Sequence, residues 1–430
     1  MSSSLPPRFD VEGGLGRIAK LTIDCCTYIS RNFVQKWSNI ERNGMTSTPE
    51  RHSPHTIVIL DALRSGRANS RADLAKATGL SPSTVSARVD ELIKHGHVLE
   101  TGEGESRGGR RPRRLNIRAD AGVVGCIDLG VDRASLGLVD FSGTLIAERH
   151  VAMDIALGPR VVLESAVGIL RELLAEVDVP PASTLRGLSV GVPGPVAAGG
   201  ARIVSPSRMP GWNGISVPDV LAGLIDVPVV VNNDANLMAV GEFVSGDPRF
   251  VNQVFVKAGS GIGCGIIAGG TLYTGSHGAA GDISHVSVPG APDVPCSCGK
   301  RGCLDAVASG NALVRQLQDH GVDVSNVEAM IELSKDAHPL ATRLLREAGS
   351  MTGGVLATIV NYSNPDRLVL GGVLSQSEVF VASVRSTLYA ECLPMATEHL
   401  AVAVSALPLT GGLVGAGKVF LDREFSVAGV

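Results

Sequence analysis

The stretch His277–Ser309, HGAAGDISHVSVPGAPDVPCSCGKRGCLDAVAS, decides how the rest of the chain is read. Cys296, Cys298 and Cys303 form a C-x-C-x4-C cluster interrupted by Gly299 and Gly302, and His285 lies eleven residues before the first of them. Three thiolates and an imidazole nitrogen on glycine-relieved turns are the donor set of a tetrahedral Zn2+, with every position filled and none left for water. The expectation is a structural zinc that clips a loop; the alternative is a set of reduced, unliganded thiols. A disulfide is disfavoured, because the single residue between Cys296 and Cys298 is too short for an unstrained bridge.

Outward from this cluster the pattern extends in both directions. Gly275-x-x-Gly278-x-Ala280-Gly281-Asp282-x-x-His285, followed by Cys296-x-Cys298-Gly299-x-x-Gly302-Cys303-Leu304-Asp305, resembles the signature of the ROK family of sugar kinases and sugar-responsive repressors. The resemblance continues over roughly Pro54–Phe420.

Size and composition set the frame. With 430 residues the chain has room for two or three domains, each burying its own core. Its formal net charge of −4 is unevenly spread: Pro54–Arg118 carries 12 Lys/Arg against 7 Asp/Glu, net +5, leaving net −9 for the remainder. A basic module on an acidic body implies that one segment alone meets a polyanion. No run of 18 apolar residues and no signal-peptide pattern is read, so no membrane span or secretion is expected. The cysteine usage fits a reducing compartment, and the expected location is the cytoplasm.

Residues 1–53 read as an N-terminal extension. Leu15, Ile18, Leu21, Cys25, Ile29, Phe33 and Trp37 recur at helical spacing between loose Ser/Pro- and Gly-rich pieces. Met45 begins a stretch like an ordinary regulator N-terminus, so the first 44 residues read either as an added piece or as a start placed too early.

Residues 54–118 read as a winged helix-turn-helix. A first helix is expected over about His55–Ser65, with Ile57, Ile59, Leu60 and Leu63 inward. Ser70 caps a second helix running to about Thr78, with Asp73 in its first turn, and Gly79 makes the turn. Ser81 caps a third helix that begins with Pro82, where a missing N–H costs nothing. Val85, Val89, Leu92 and Ile93 face inward, which leaves Ser83, Thr84, Ser86 and Arg88 outward near the N-terminus, suited to phosphates and base edges in a major groove. A strand at His97–Glu100 and a return strand at Leu115–Ile117 flank a glycine-rich loop carrying Arg107, Arg110, Arg111, Arg113 and Arg114. Arginines on such a ribbon suit phosphates or a narrow minor groove; a solvated linker is the alternative. The combination resembles the N-terminal domain of ROK repressors, including their Gly-Arg-Arg-Pro wing.

From Ala121 the pattern changes to α/β. Strands are expected at Val123–Asp128, Ala134–Asp140 and Leu145–Val151, then a helix over about Arg160–Glu176 and strands at Leu185–Val190 and Val227–Val231. A second lobe repeats the theme with strands at Gln253–Ala258 and Cys264–Ala268 and a return at Leu272-Tyr273. Helices follow over Asn311–Gly349 and on through Asn361, then strand Arg367–Leu370 and a last helix near Gly411–Leu421 that packs back on the first lobe. Three hairpin strands followed by alternating helices and strands give the order of a two-lobed ribonuclease H-like, actin-like ATPase fold, the sugar-kinase architecture. The expected division is residues 119–430, with lobe one at about 121–233 plus the last helix, lobe two at about 234–410, and a ligand cleft between them.

The chemistry-bearing motifs line up with that cleft. Asn232-Asn233-Asp234 follows an apolar strand; an Asp there can accept a proton from a sugar hydroxyl while Asn233 fixes a neighbour, or it can simply cap the next helix. The resemblance places Asn233 at the sugar and Asp234 at the family's catalytic base. It also places Asp282, His285 and Asp305 on the remaining hydroxyls, with His285 serving zinc and sugar through its two nitrogens, so that the metal fixes the ring. Both acidic positions are Asp where relatives carry Glu, which retracts each carboxylate by about 1.5 Å. Gly191-Val192-Pro193-Gly194-Pro195 and Pro210-Gly211-Trp212 resemble two further family elements.

Two phosphate loops bear on catalysis. Gly259-Ser260-Gly261-Ile262-Gly263 keeps its glycines and a hydroxyl, and Gly371-Gly372 ends a strand. The other loop reads Asp128-Leu129-Gly130-Val131-Asp132 where active relatives have D-x-G-G-T. Val131 removes a close backbone approach to phosphate, and Asp132 replaces a hydroxyl by a charge that repels a phosphate by roughly 4 kcal/mol per unit charge at about 4 Å. The sugar site is expected to be kept and the ATP/Mg2+ site to be degenerate. The resulting expectation is a sugar-responsive repressor, not an enzyme, that binds a palindromic operator as a homodimer or homotetramer. The alternative is an ATP-dependent sugar kinase carrying a DNA-binding module.

Overall fold

The computed structural model describes residues 54–103, 113–177, 185–199 and 202–425. The N-terminal module contains α1 (Pro54–Arg64), α2 (Arg71–Thr78), α3 (Pro82–Lys94) and the antiparallel pair β1 (Val98–Glu103) and β2 (Arg113–Ile117). Its boundaries follow from local chemistry. Ser70 accepts a hydrogen bond from the Asp73 N–H, Gly79 takes a left-handed φ of 70°, and Ser81 accepts from the Thr84 N–H ahead of Pro82. Ile59, Leu60, Ala62, Leu74, Val85, Val89 and Leu92 form the core. Ile57, Leu63 and Ile93, expected in the same set, are only partly buried at its edge. The wing strands are longer than the sequence pattern gave, because pairing extends to Glu103 and Arg113 across a bulge.

Lobe one is a five-stranded sheet in the order β5-β4-β3-β6-β7: β3 (Val123–Leu129), β4 (Arg133–Asp140), β5 (Leu145–Ala152), β6 (Leu185–Val192) and β7 (Val229–Asn233). The hairpin strands β3, β4 and β5 are antiparallel, and β6 and β7 join in parallel. Helix α4 (Pro159–Glu176) covers one face with Val162, Leu163, Ala166, Val167 and Leu170, and a short α5 (Val217–Leu221) closes that side.

Lobe two repeats the plan. Its sheet runs β10-β9-β8-β11-β12, with β8 (Gln253–Ala258), β9 (Ile262–Ala268), β10 (Thr271–Leu272), β11 (Arg367–Gly371) and β12 (Ala401–Val404). One face is covered by α7 (Leu304–Ala308), α8 (Gly310–Asp319), α9 (Val327–Lys335), α10 (Pro339–Ser363) and α11 (Glu378–Glu391), which share the largest core cluster. The helical run expected from Asn311 is therefore three helices. The strand β12 and helix α11 are not read from the sequence; a four-residue edge strand carries too little periodicity, whereas α11 does present Phe380, Val381, Val384 and Leu388 at helical spacing.

Two helices join the lobes. Helix α6 (Asp234–Val244) packs on the lobe-two sheet through Met238, Ala239 and Val240, and α13 (Gly411–Phe425, after the short α12 at Pro394–Thr397) packs on lobe one. They cross at glycines: a Cβ added to Gly415 would lie 1.8 Å from the Leu237 carbonyl oxygen. Only glycine allows that approach, so the helices that begin at the cleft are locked together. Among the described residues no helix is long and apolar enough to cross a membrane.

The N-terminal module is not a separate bead. Its buried residues belong to the same cluster as Val124, Cys126, Val139, Phe141, Leu413, Phe420 and Phe425 of lobe one. His97 lies 5.1 Å edge-on from the Phe425 ring, Phe425 packs on Phe141 at 6.0 Å, and Arg64 sits 5.4 Å over Phe425. Lys418 of α13 pairs with Asp61 of α1 at 3.1 Å and with Asp422 at 2.6 Å.

Candidate functional site

Between the lobes lies a cavity of about 200 Å³. Its walls bring together residues far apart in the chain: Asp128 at the end of β3 with Gly130 and Asp132 in the turn after it; Asn233 and Asp234 at the β7–α6 junction; Gly259, Ser260 and Gly261 on the β8–β9 turn with Gly263 at the start of β9; Asp282, His285, Asp305 and Gly372. Gly371 is the one member of the expected set that does not line it; it packs inside lobe two against Phe255.

The β7–α6 junction differs from the simple picture of an Asp capping a helix. Asn233 is the cap, with Oδ1 accepting from the Asn236 N–H at 3.2 Å and Nδ2 donating to the Gly194 carbonyl at 3.2 Å. The Gly191–Pro195 turn and Asn233 are thus tied together. Asp234 sits one residue into the helix with its side chain only 6% exposed, and its Oδ1 accepts from the Ala235 N–H at 2.7 Å. Its Oδ2 is hydrogen-bonded by the Lys257 ammonium.

Lys257 escaped the sequence reading. Its signal is a lone lysine within the buried strand QVFVKA. Burial pulls its ammonium toward neutrality, but the charges of Asp234 and Asp128 and the hydrogen bond to Asp234 outweigh this and raise its pKa above the usual lysine value. Asp128 is the third member of the group. Desolvation pushes its carboxyl up to about 7, against the pull of Lys257 and with the repulsion of Asp234, and its Oδ1 is buried without a hydrogen-bond partner. Lys257 is a tethered cation in the wall of the cleft.

The Asp128–Asp132 and Gly259–Gly263 loops face each other across the cleft. Ser260 Oγ lies 3.4 Å from Asp132 Oδ2, and Arg133 Nε is 3.6 Å from the same carboxylate. The Asp132 carboxylate, expected to repel a phosphate, therefore lies directly against the Gly259–Gly263 turn. Asp282 is exposed at the rim, where its Oδ1 accepts from Ser284 Oγ at 2.5 Å. Asp305 is 6% exposed and already engaged: Arg208 Nε donates to its Oδ2 at 2.9 Å, Arg208 Nη2 also donates to it, and the Ile262 N–H donates to Oδ1 at 3.1 Å. Arg208 is the second residue missed; an arginine in a Pro/Gly-rich loop carries no spacing that marks it.

The cysteine cluster adjoins this wall. The donor atoms of His285, Cys296, Cys298 and Cys303 all lie within 4.8 Å of one another. Cys298 and Cys303 sulfurs are 3.7 Å apart, and Cys296 Sγ is 3.5 Å from His285 Nδ1. A tetrahedron with Zn–S bonds of about 2.3 Å has S–S edges of about 3.8 Å, so the residues fit the ion. Nδ1 faces Cys296, which leaves Nε2 of His285, a cleft-lining residue, for another partner.

On the N-terminal module, Ser83 is exposed and Thr84 and Ser86 are half-buried at the start of α3, with Ser81 bonded to Ser83 and Thr84 hydroxyls. Two arginines expected to be free for DNA are engaged: Arg88 pairs with Glu91 at 2.5 Å and Arg113 with Glu100 at 3.0 Å. Arg114 is exposed on β2. Arg107, Arg110 and Arg111 lie outside the described residues. Arg71, unremarked in the sequence, ties α2 to the wing and to α3 through Glu100, Asp90 and the Ser86 carbonyl.

Comparison with known proteins bears on both parts. A model of the ROK family matches residues 124–423. The chain belongs to the ROK family. A winged helix-turn-helix DNA-binding model matches residues 54–98 of this ROK protein. A relative named putative xylose repressor, from Caldicellulosiruptor sp. (strain Rt8B.4), is 32% identical over 366 residues, covering 82% of this chain and 91% of its own. The crystal structure of a ROK family transcriptional regulator, described as a homologue of the E. coli MLC protein, superposes with a TM-score of 0.69 at 21% identity, covering 86% of this chain and 97% of that one. A ROK family glucokinase from Streptomyces griseus, in complex with glucose and AMPPNP, gives a TM-score of 0.59 at 26% identity over 69% of this chain and 99% of that one.

Proposed function

We propose that this ROK protein is a sugar-responsive transcriptional repressor that reads operator DNA with α3 and its wing and holds a sugar in the interlobe cleft. The observation that carries the reading is the single core shared by the DNA-reading module and lobe one, with α13 running from the cleft to that core. Occupancy of the cleft then biases the module through packed side chains, and the affinities for sugar and DNA are linked reciprocally. The xylose-repressor relative makes D-xylose the first sugar to test. Asn233, Asp234, Asp282, His285 and Asp305 are the residues we assign to the sugar. Ser81, Ser83, Thr84, Ser86, Arg88 and the wing arginines Arg107, Arg110, Arg111, Arg113 and Arg114 are assigned to DNA.

Zn2+ on His285, Cys296, Cys298 and Cys303 would hold the loop and orient the imidazole toward the cleft, a structural role with no open coordination position. Domain limits of 1–53, 54–118 and 119–430, a cytoplasmic location and a homodimer or homotetramer on a palindromic operator complete the proposal. Phosphoryl transfer is disfavoured by Asp132 against Ser260 and by Lys257 on the base-position carboxylate. The test is fluorescence anisotropy of the protein on DNA flanking its own gene, titrated with D-xylose and other monosaccharides. A sugar-dependent change in operator affinity is expected. A kinase turnover above about 1 s⁻¹ with ATP would instead favour the catalytic alternative.

A further inference from the structure

Arg208 stands on the loop between β6 and α5, and that loop is rooted in lobe one. Ile203, Met209 and Trp212 are buried in the lobe-one core, and the Trp212 indole donates to the Ile155 carbonyl at 3.0 Å. From this fixed base the guanidinium crosses the cleft to lobe two. It bonds Asp305, the Ser260 carbonyl at 2.7 Å and the Ser309 hydroxyl at 3.2 Å. The side chains of Arg208 and Asp305 are 18% and 6% exposed, so the pair is shielded from screening by bulk water.

A carboxylate has about four acceptor positions. On Asp305 two are taken by the Arg208 fork and one by the Ile262 N–H. A sugar cannot place two adjacent hydroxyls on Asp305 while Arg208 stays. We propose that Arg208 is an intramolecular competitor of the effector: in the empty protein it occupies the acceptor positions on Asp305 that a vicinal diol takes on binding. This rests on the assignment of Asp305 to the sugar. A charge-assisted fork is stronger than a neutral hydroxyl contact, so Arg208 sets effector affinity below what the cleft would otherwise give. It also sets specificity, because only a ligand offering both hydroxyls can replace both donors. Displacement frees Ser260 and Ser309 as well, which unfastens the lobe-one loop from lobe two at the moment the effector enters.

The experiment compares wild type, Arg208→Met and Arg208→Gln of the full chain. Calorimetric titration with D-xylose is expected to show at least tenfold tighter binding in both variants, with 2-deoxy and O-methylated analogues gaining less than the parent sugar. Equal or weaker binding of D-xylose in the variants overturns the proposal. If D-xylonate, the anionic counterpart, binds wild type and loses affinity in the variants, Arg208 is a ligand contact and not a competitor. A ligand-free arm separates the clamp from the sugar assignment: hydrogen exchange in residues 203–212 and 259–263 should rise in both variants without any sugar. Unchanged exchange in both segments refutes the clamp. Raised exchange with no sugar bound by any form leaves the clamp intact but refutes displacement by sugar, and with it the effector reading of the cleft.

Discussion

Removing Lys257 is the sharpest test of how the cleft is held. Lys257→Met keeps length and apolar volume but deletes the ammonium, and it leaves the Asp234 carboxylate, 6% exposed, without its cation. Breaking a buried pair by removing one partner costs about 3–5 kcal/mol. The lower end, about 3 kcal/mol, applies here because the Lys257 side chain is 24% exposed to the cleft. For a unit the size of Arg51–Val430, unfolding entropy of about 2.1 cal/mol/K per residue gives roughly 0.8 kcal/mol per kelvin, so Tm should fall by about 4 °C at pH 8. The sign of the pH dependence follows from Asp128. Its carboxyl is already raised to about 7 with Lys257 lowering it; without the lysine the native state binds protons more tightly still. Stability of the variant therefore declines more steeply than that of wild type as pH rises from 5 to 8, and the Tm difference should be smaller at pH 5. Differential scanning calorimetry at the two pH values reads this directly. A Tm difference under 1 °C at pH 8, or one that grows toward pH 5, would refute the view that Lys257 compensates these two carboxylates.

Three further outcomes are expected. Asp128→Asn removes the buried carboxyl whose shift from 3.8 to about 7 amounts to at most about 4 kcal/mol; Tm should rise by up to a few degrees at pH 8 and be unchanged at pH 4, and a loss at pH 8 would show that the charge is wanted. Cys303→Ser, at a fully buried donor, should reduce zinc from one equivalent per chain to a small fraction by elemental analysis and lower Tm; a wild-type protein purified without chelators that holds no zinc would remove the metal from the account. Arg111→Ala should weaken binding to all DNA sequences alike and reduce the slope of log affinity on log salt by about 1, as measured by anisotropy at several salt concentrations; an unchanged slope would take Arg111 off the backbone.

Much of the candidate site is legible in the sequence, because its signals are local. A Cys3His set, capping serines at Ser70 and Ser81, a proline at the first helical position and glycines at fixed offsets each act within a few residues, and the structure keeps them where the spacing put them. The strands of lobe one were legible to within two residues for the same reason: β-branched runs with hairpin turns between them.

What only the tertiary structure decided is which charges meet. Arg208 and Asp305 are 97 residues apart and Lys257 and Asp234 are 23 apart; pairs like these have no period, so no pattern along the chain announces them. The same holds for the core shared by α1, β1 and α13, which joins the first described helix to the last. By itself the sequence determined the winged helix-turn-helix module, the two-lobed body and the Cys3His cluster, since each depends on residue type at short range. Folding decided that the cleft carboxylates Asp234 and Asp305 carry cations of the chain itself, because a buried charge takes whatever partner the packing brings within reach.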